Sequence, residues 1–176
     1  MKKDTEKKHA DDNKFRFEET YLVISDRSTI LKLRSLGAGV EEADETKIAL
    51  LEAAYFADRG VIPIEKDKIF DTVKKHDKLY MEKFYVIKYL RDRGYIVRPS
   101  LDNTDYLRLH RKGVRPGEDR TYGLIMVVPK NWKCDVEDLL PSLETAGRLR
   151  KELVIAIVDI EQEKPLFLKF GRMTIE

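Results

Sequence analysis

Apolar positions along this chain fall in short blocks whose spacing changes from segment to segment. Thr20-Tyr21-Leu22-Val23-Ile24-Ser25 is a run of β-formers bounded by polar residues, and it reads as a strand. Gly37 and Gly39 then mark a turn. From Thr46 to Arg59, Ile48, Leu51, Ala54 and Tyr55 recur at helical spacing and predict a helix that Gly60 ends. Between Ile69 and Arg93 the positions Ile69, Val73, His76, Tyr80, Phe84, Ile87 and Leu90 predict one long amphipathic helix, with a candidate break near Asp77 and a stop at Gly94. His76 sits on that apolar stripe, where a packed histidine is expected rather than a ligand or catalytic group.

Beyond this helix the pattern turns to strands. Tyr95 to Arg98 and Asp105 to His110 read as two, the second alternating Leu107 and Leu109 with Tyr106, Arg108 and His110. A turn-rich loop from Arg111 to Arg120 follows, with Gly113, Pro116 and Gly117. Tyr122 to Val128 is continuously apolar, as in a buried strand, and Asp135 caps a predicted helix running to about Lys151 in which Pro141 is a potential break. Leu153-Val154-Ile155-Ala156-Ile157-Val158 predicts a central strand buried on both faces. Pro165 to Phe170 and a last stretch to Ile175 complete the sheet. The expected fold class is α+β: a charged tail over residues 1–14, a small N-terminal unit over 15–80, and a C-terminal mixed sheet with flanking helices over 81–176.

Charge narrows the function classes. The chain has 34 Lys plus Arg against 32 Asp plus Glu, and 38% of its residues are charged. That balance excludes a uniformly basic nucleic-acid coat and leaves room for a local basic face. Between Lys88 and Arg120 there are nine basic and five acidic residues, interleaved with Tyr89, Tyr95 and Tyr106. Arginines and aromatic rings in that mixture suit RNA that is single-stranded or bulged. Asn13, Asn103, Asn131 and Gln162 are the only amide side chains, which together with the heavy charge leans towards a thermophilic source. No apolar run is long enough to span a bilayer, and Met1 to Lys14 lacks the apolar stretch of a signal peptide, so no membrane contact and a cytoplasmic location are expected.

Spacing alone offers little chemistry. Cys134 is the single cysteine and the three histidines lie far apart, so neither a disulfide nor a zinc site is expected. Phosphate-loop, dinucleotide and zincin motifs are missing, and no bound cofactor or metal is expected.

Three segments resemble one family. Phe84-Tyr85-Val86-Ile87-Lys88-Tyr89-Leu90-Arg91-Asp92-Arg93-Gly94-Tyr95-Ile96-Val97 is similar to the Y-x-V-Y-x-x-L-R-x-R-G-Y-x-V segment of archaeal tRNA-splicing endonucleases. Leu149-Arg150-Lys151-Glu152-Leu153-Val154-Ile155-Ala156-Ile157-Val158-Asp159 resembles their V-R-K-x-L-x-x-A-x-V-D segment, and Leu50-Leu51-Glu52-Ala53-Ala54-Tyr55-Phe56 their L-x-E-A-x-Y-L helix. The resemblance implies a splicing-endonuclease-like C-terminal domain with a restriction-endonuclease-like core. It also implies metal-free cleavage of precursor tRNA at bulge-helix-bulge sites. In that chemistry a tyrosine serves as base towards the 2′-hydroxyl, a histidine as acid towards the leaving oxygen, and a lysine stabilises the charged phosphorane, yielding a 2′,3′-cyclic phosphate.

Carried over residue by residue, the lysine position holds Lys151, the tyrosine position His110, and the histidine of the family's E-H-x-x-Y-L-V segment is set on Arg120. An arginine holds its proton at any working pH and is a poor general acid. Tyr106 is no replacement for the tyrosine, since four residues of strand separate it from His110 by about 13 Å. The family's arginine seven positions before the lysine is Glu144 here. A scaffold with a broken triad resembles the structural subunit of the family's heterotetramers, so the partners implied are a catalytic subunit of the same family and, through the assembly, precursor tRNA. Glu118 or Asp119 in the loop after His110, and Leu166, Leu168 and Phe170 in the C-terminal strand, are the candidate assembly residues. An active variant using His110 and Lys151, and a stand-alone RNA-binding module, are the alternatives.

Overall fold

The computed structural model describes residues 14–100, 105–112, 121–162 and 164–171. The chain divides into two compact units, Met1–Asp77 and Lys78–Glu176. Most of the charged tail, residues 1–13, and the final stretch, 172–176, lie outside the described residues.

In the first unit β1 (Phe15–Phe17), β2 (Tyr21–Ile24), β3 (Val40–Glu42) and β4 (Glu45–Ala49) form an antiparallel sheet in the order β1-β2-β4-β3. Leu22, Val23 and Ile24 are almost wholly buried, so the apolar run fills the core as its composition predicts. Between β2 and β3 lies α1 (Arg27–Ser35), whose sequence is largely polar and whose buried residues are Thr29 and Leu33 alone. Its start is fixed by Asp26, whose carboxylate accepts from the Thr29 N–H at 2.9 Å, the Thr29 hydroxyl at 2.9 Å and the Ser28 hydroxyl at 2.6 Å. These donors hold the Asp26 carboxyl far below the usual carboxylate range.

The helix expected over Thr46–Arg59 is shorter, because β4 occupies its first residues. Thr46 and Ile48 are buried while Glu45 and Lys47 are half-buried, an alternation of period two, and Ile48 pairs with Leu22. Burial is continuous from Ile48 through Phe56, and α2 (Leu50–Asp58) begins within that run. The expected long helix is two helices, α3 (Lys66–Val73) and α4 (Tyr80–Arg91), interrupted around Asp77. His76 therefore leaves the apolar stripe: it is exposed in the interruption, with Nδ1 3.5 Å from Glu19 Oε1. Gly60 and Gly94 end α2 and α4 at φ +67° and +82°, conformations in which glycine meets no Cβ penalty.

The second unit is a mixed sheet in the order β5-β6-β7-β8-β9, formed by β5 (Val97–Pro99), β6 (Tyr106–His110), β7 (Thr121–Pro129), β8 (Glu152–Val158) and β9 (Leu166–Phe170). Neighbours run antiparallel except β7 and β8, which are parallel and joined through α5 (Val136–Arg148). On one face Leu124, Val128, Leu153 and Ile155 pack with Leu139 and Ala146 of α5. The opposite residues of the pleat, such as Ile125, Val127 and Ala156, are buried on the face where α4 packs against β7 and β8. The central strand is β7, not the 153–158 run: β8 stands one place nearer the edge, with Val154 and Ile157 only half-buried. An apolar run reports burial and does not report rank in strand order. Pro141 does not break α5, because the hydrogen bond it forfeits is to the carbonyl of exposed Glu137. None of the described helices is long and apolar enough to cross a membrane.

Replacing Asp26 with Ala removes the α1 cap and lowers the unfolding free energy by about 1 kcal/mol at neutral pH. Because the folded carboxyl titrates below its unfolded value, its contribution is full above an unfolded pKa of about 3.9 and fades as pH falls towards the depressed folded value. Urea unfolding of both proteins at pH 7 and pH 2 checks this: the difference between them shrinks at the lower pH.

Candidate functional site

Strand direction assembles one end of the second sheet. β6 and β7 are antiparallel, so the last residue of β6 meets the first of β7; β7 and β8 are parallel, so the start of β8 arrives at the same end. Three residues of interest collect there: His110, Thr121 and Lys151.

The register slips at this end. Leu109 pairs with Gly123 but His110 pairs with Thr121, which leaves Tyr122 as the extra residue of a bulge. His110 Nε2 and Thr121 Oγ1 are 3.5 Å apart, and the His110 N–H donates to the Ile96 carbonyl at 2.9 Å. His110 is 4% exposed. Lys151 is delivered by the end of α5, where its N–H donates to the Ala146 carbonyl at 2.8 Å and the Arg150 N–H to the Gly147 carbonyl at 3.0 Å. That closure sets Arg150 at φ +53°, a left-handed conformation rarely taken by a residue with a side chain. The half-buried Lys151 then reaches across the strand ends and donates from Nζ to the Thr121 carbonyl.

His110 and Lys151, two positions joined by the sequence resemblance, are thus brought together through Thr121. Thr121 itself escaped the sequence reading, since only the bulge turns it towards His110 and a bulge leaves no compositional trace. Tyr106 donates from its hydroxyl to Ser142 Oγ at 2.8 Å and is committed to holding α5 on the sheet. Tyr122 shares the site's end of β7, but burial above all raises its hydroxyl pKa above the ordinary phenol value, so it supplies no phenolate base at neutral pH. Glu144 is exposed on α5. Arg120, Glu118 and Asp119 lie outside the described residues. Of the candidate assembly residues on β9, Leu166 is 58% and Leu168 41% exposed. Phe170 is half-buried and packs against both core clusters beneath α5. Among the described residues no group of three or more His, Cys, Asp or Glu could hold a metal ion.

Residues 80–166, which include α4 and the sheet up to the start of β9, match the family model described as tRNA intron endonuclease, catalytic C-terminal domain. The tRNA-splicing endonuclease of Thermococcus onnurineus is 32% identical over 123 residues, covering 66% of this chain and 70% of that protein. This chain belongs to the tRNA-splicing endonuclease family. Its likeness to the tRNA-splicing endonuclease of Pyrococcus horikoshii is 35% over 130 residues, covering 70% of this chain and 74% of the relative. That of Thermococcus kodakarensis is 34% identical over 119 residues, covering 64% and 69%.

The geometry makes His110 far less reachable than His76. With diethyl pyrocarbonate on the folded chain, peptide mass mapping should find His76 modified at least tenfold faster than His110, and the two should react alike after unfolding.

Proposed function

We propose that this chain is the structural, non-catalytic subunit of a heterotetrameric tRNA-splicing endonuclease, which it forms with a catalytic subunit of the same family to remove introns from precursor tRNA at bulge-helix-bulge sites. The observation that carries this reading is the state of the triad end of the sheet. Its one retained residue, Lys151, donates to a backbone carbonyl, and the residue at the tyrosine position is a histidine 4% exposed.

Cleavage needs one group to take the proton of the 2′-hydroxyl as it attacks phosphorus, and another to protonate the departing 5′-oxygen. A positioned base or acid is worth roughly 10²- to 10⁴-fold in rate. Here His110 lies too deep to meet a ribose hydroxyl, and Arg120, which stands at the histidine position, holds its proton at neutral pH. The partner's own residues carry the chemistry, and this chain contributes the scaffold that completes and orients the assembly. The outer edge of β9 supports that role, since it ends the sheet and carries exposed Leu166 and Leu168, with Phe170 anchoring the strand from within. Glu118 and Asp119 give the loop after His110 two acidic groups suited to docking on a basic surface of the partner.

The test is to mix this chain with its cognate catalytic subunit and an intron-containing precursor. Cleavage at both junctions should rise with the ratio of the two chains and level off at equimolarity, and His110→Ala in this chain should change the plateau rate less than about twofold. A mixture no more active than the catalytic subunit alone, at every ratio, would refute the reading.

A further inference from the structure

Three side chains of the second unit, Phe167, Tyr89 and Arg93, touch one after another beside the edge strand β9. Phe167 pairs with Ala156 across β9 and β8 and so lies on the face of the sheet that α4 covers. Its ring meets that of Tyr89, on α4, with the centroids 5.8 Å apart. Arg93 lies over the Tyr89 ring, its Cζ 3.5 Å from the centroid. At that separation the guanidinium and the ring are parallel, because an edge-on guanidinium would drive one of its nitrogens inside van der Waals contact. The Arg93 Nη1 also donates to the Tyr89 carbonyl at 3.0 Å, so the side chain is folded back over the last turn of α4 and held at two points. Tyr89 is half-buried and Arg93 is exposed. The ring covers one face of the guanidinium, and the exposure falls on the other.

The end of a helix asks for a cation near its last carbonyls, and a lysine meets that need as well as an arginine. It does not ask for a flat group laid parallel to an aromatic ring. A flat, exposed cation offers a stacking surface, since unpaired nucleobases stack on guanidinium planes. One already held against a tyrosine loses less rotamer freedom on binding than a loose arginine would. A second cation comes to the same helix end: the Lys112 side chain passes so close to Gly94 that a Cβ there would meet its Cε at 3.3 Å. Both cations belong to the stretch between Lys88 and Arg120, whose nine basic residues exceed its five acids while the chain as a whole is nearly neutral. We infer that the outer face of Arg93, backed by Tyr89 and Phe167, is a stacking site for one unpaired nucleobase of RNA. RNA as the ligand class rests on the function proposed above; the site depends neither on the chain cutting nor on a partner being present.

The competing explanation is that Arg93 only caps α4 and never meets RNA. Titration of the full chain, without a catalytic subunit, into two fluorescent RNAs of equal length separates the two, one RNA a bulge-helix-bulge and the other fully paired. The chain should bind the bulged RNA at least about fivefold more tightly than the paired one, and Arg93→Ala should abolish that preference. Arg93→Lys keeps the charge and still reaches the Tyr89 carbonyl but lacks the flat face. It should lose the preference as alanine does, while keeping the wild-type affinity for paired RNA and the wild-type slope of log affinity against log salt. This variant also serves if the alanine substitution disturbs the end of α4. Retention of the preference by Arg93→Lys identifies a helix cap and overturns the inference. A wild-type chain that binds neither RNA, or both alike, overturns it too and leaves the subunit reading standing, since stimulation of a catalytic partner is measured separately. Arg93 variants that bind RNA as the wild type does but assemble less well with the catalytic subunit mark a protein contact, which also overturns it.

Discussion

The parallel pairing of β7 with β8 governs what the C-terminal unit can be. Parallel neighbours cannot be joined by a tight turn, so the chain must cross over, and α5 makes that crossing on one face of the sheet. The crossing returns the chain to the end of the sheet where β7 began. β6, running antiparallel to β7, finishes there as well. Residues far apart in sequence, His110, Thr121 and Lys151, therefore meet because of strand direction, before any particular side chain is considered. The same crossing lays Leu139 and Ala146 on Leu124, Val128, Leu153 and Ile155, so the packing that stabilises the unit and the geometry that brings the site together have one origin.

Helix closure at Arg150 and Lys151, the bulge at Tyr122 and the Tyr106–Ser142 hydrogen bond all hold the site end in shape. What that shape holds is a buried imidazole and an ammonium engaged by a carbonyl. The imidazole is 4% exposed, and the ammonium donates to the Thr121 carbonyl. An intact frame is what the proposed subunit needs if its task is to present surfaces, and the exposed Leu166 and Leu168 of β9 lie on the outer edge of that frame.

The C-terminal unit was the more legible part of the sequence because its signals were redundant. Tyr122 to Val128 and Leu153 to Val158 are long apolar runs, Asp135 and Gly94 mark helix ends, and the resemblance ran through the same segments. The N-terminal unit hid more. β3 has the sequence Val40-Glu41-Glu42 and is exposed along its length, held by pairing with β4 and by the Glu41–Arg34 and Glu42–Lys47 ion pairs rather than by burial. α1 buries only Thr29 and Leu33, too little to mark a helical stripe. Thr46 and Ile48 satisfied helical and strand spacing alike, and long-range pairing with β2 decided between them. In the site, residue types at His110 and Lys151 could be read in advance; Thr121 could not, because its pairing with His110 is a matter of register.

The central proposal is that this member of the tRNA-splicing endonuclease family keeps the family's fold without cutting RNA on its own. A single-turnover assay measures it most directly, with the purified chain alone in large excess over a bulge-helix-bulge precursor labelled at its 5′ end. The account predicts no fragment ending in a 2′,3′-cyclic phosphate above the uncatalysed background. Such a fragment formed by the wild-type chain, and lost on His110→Ala, would contradict it.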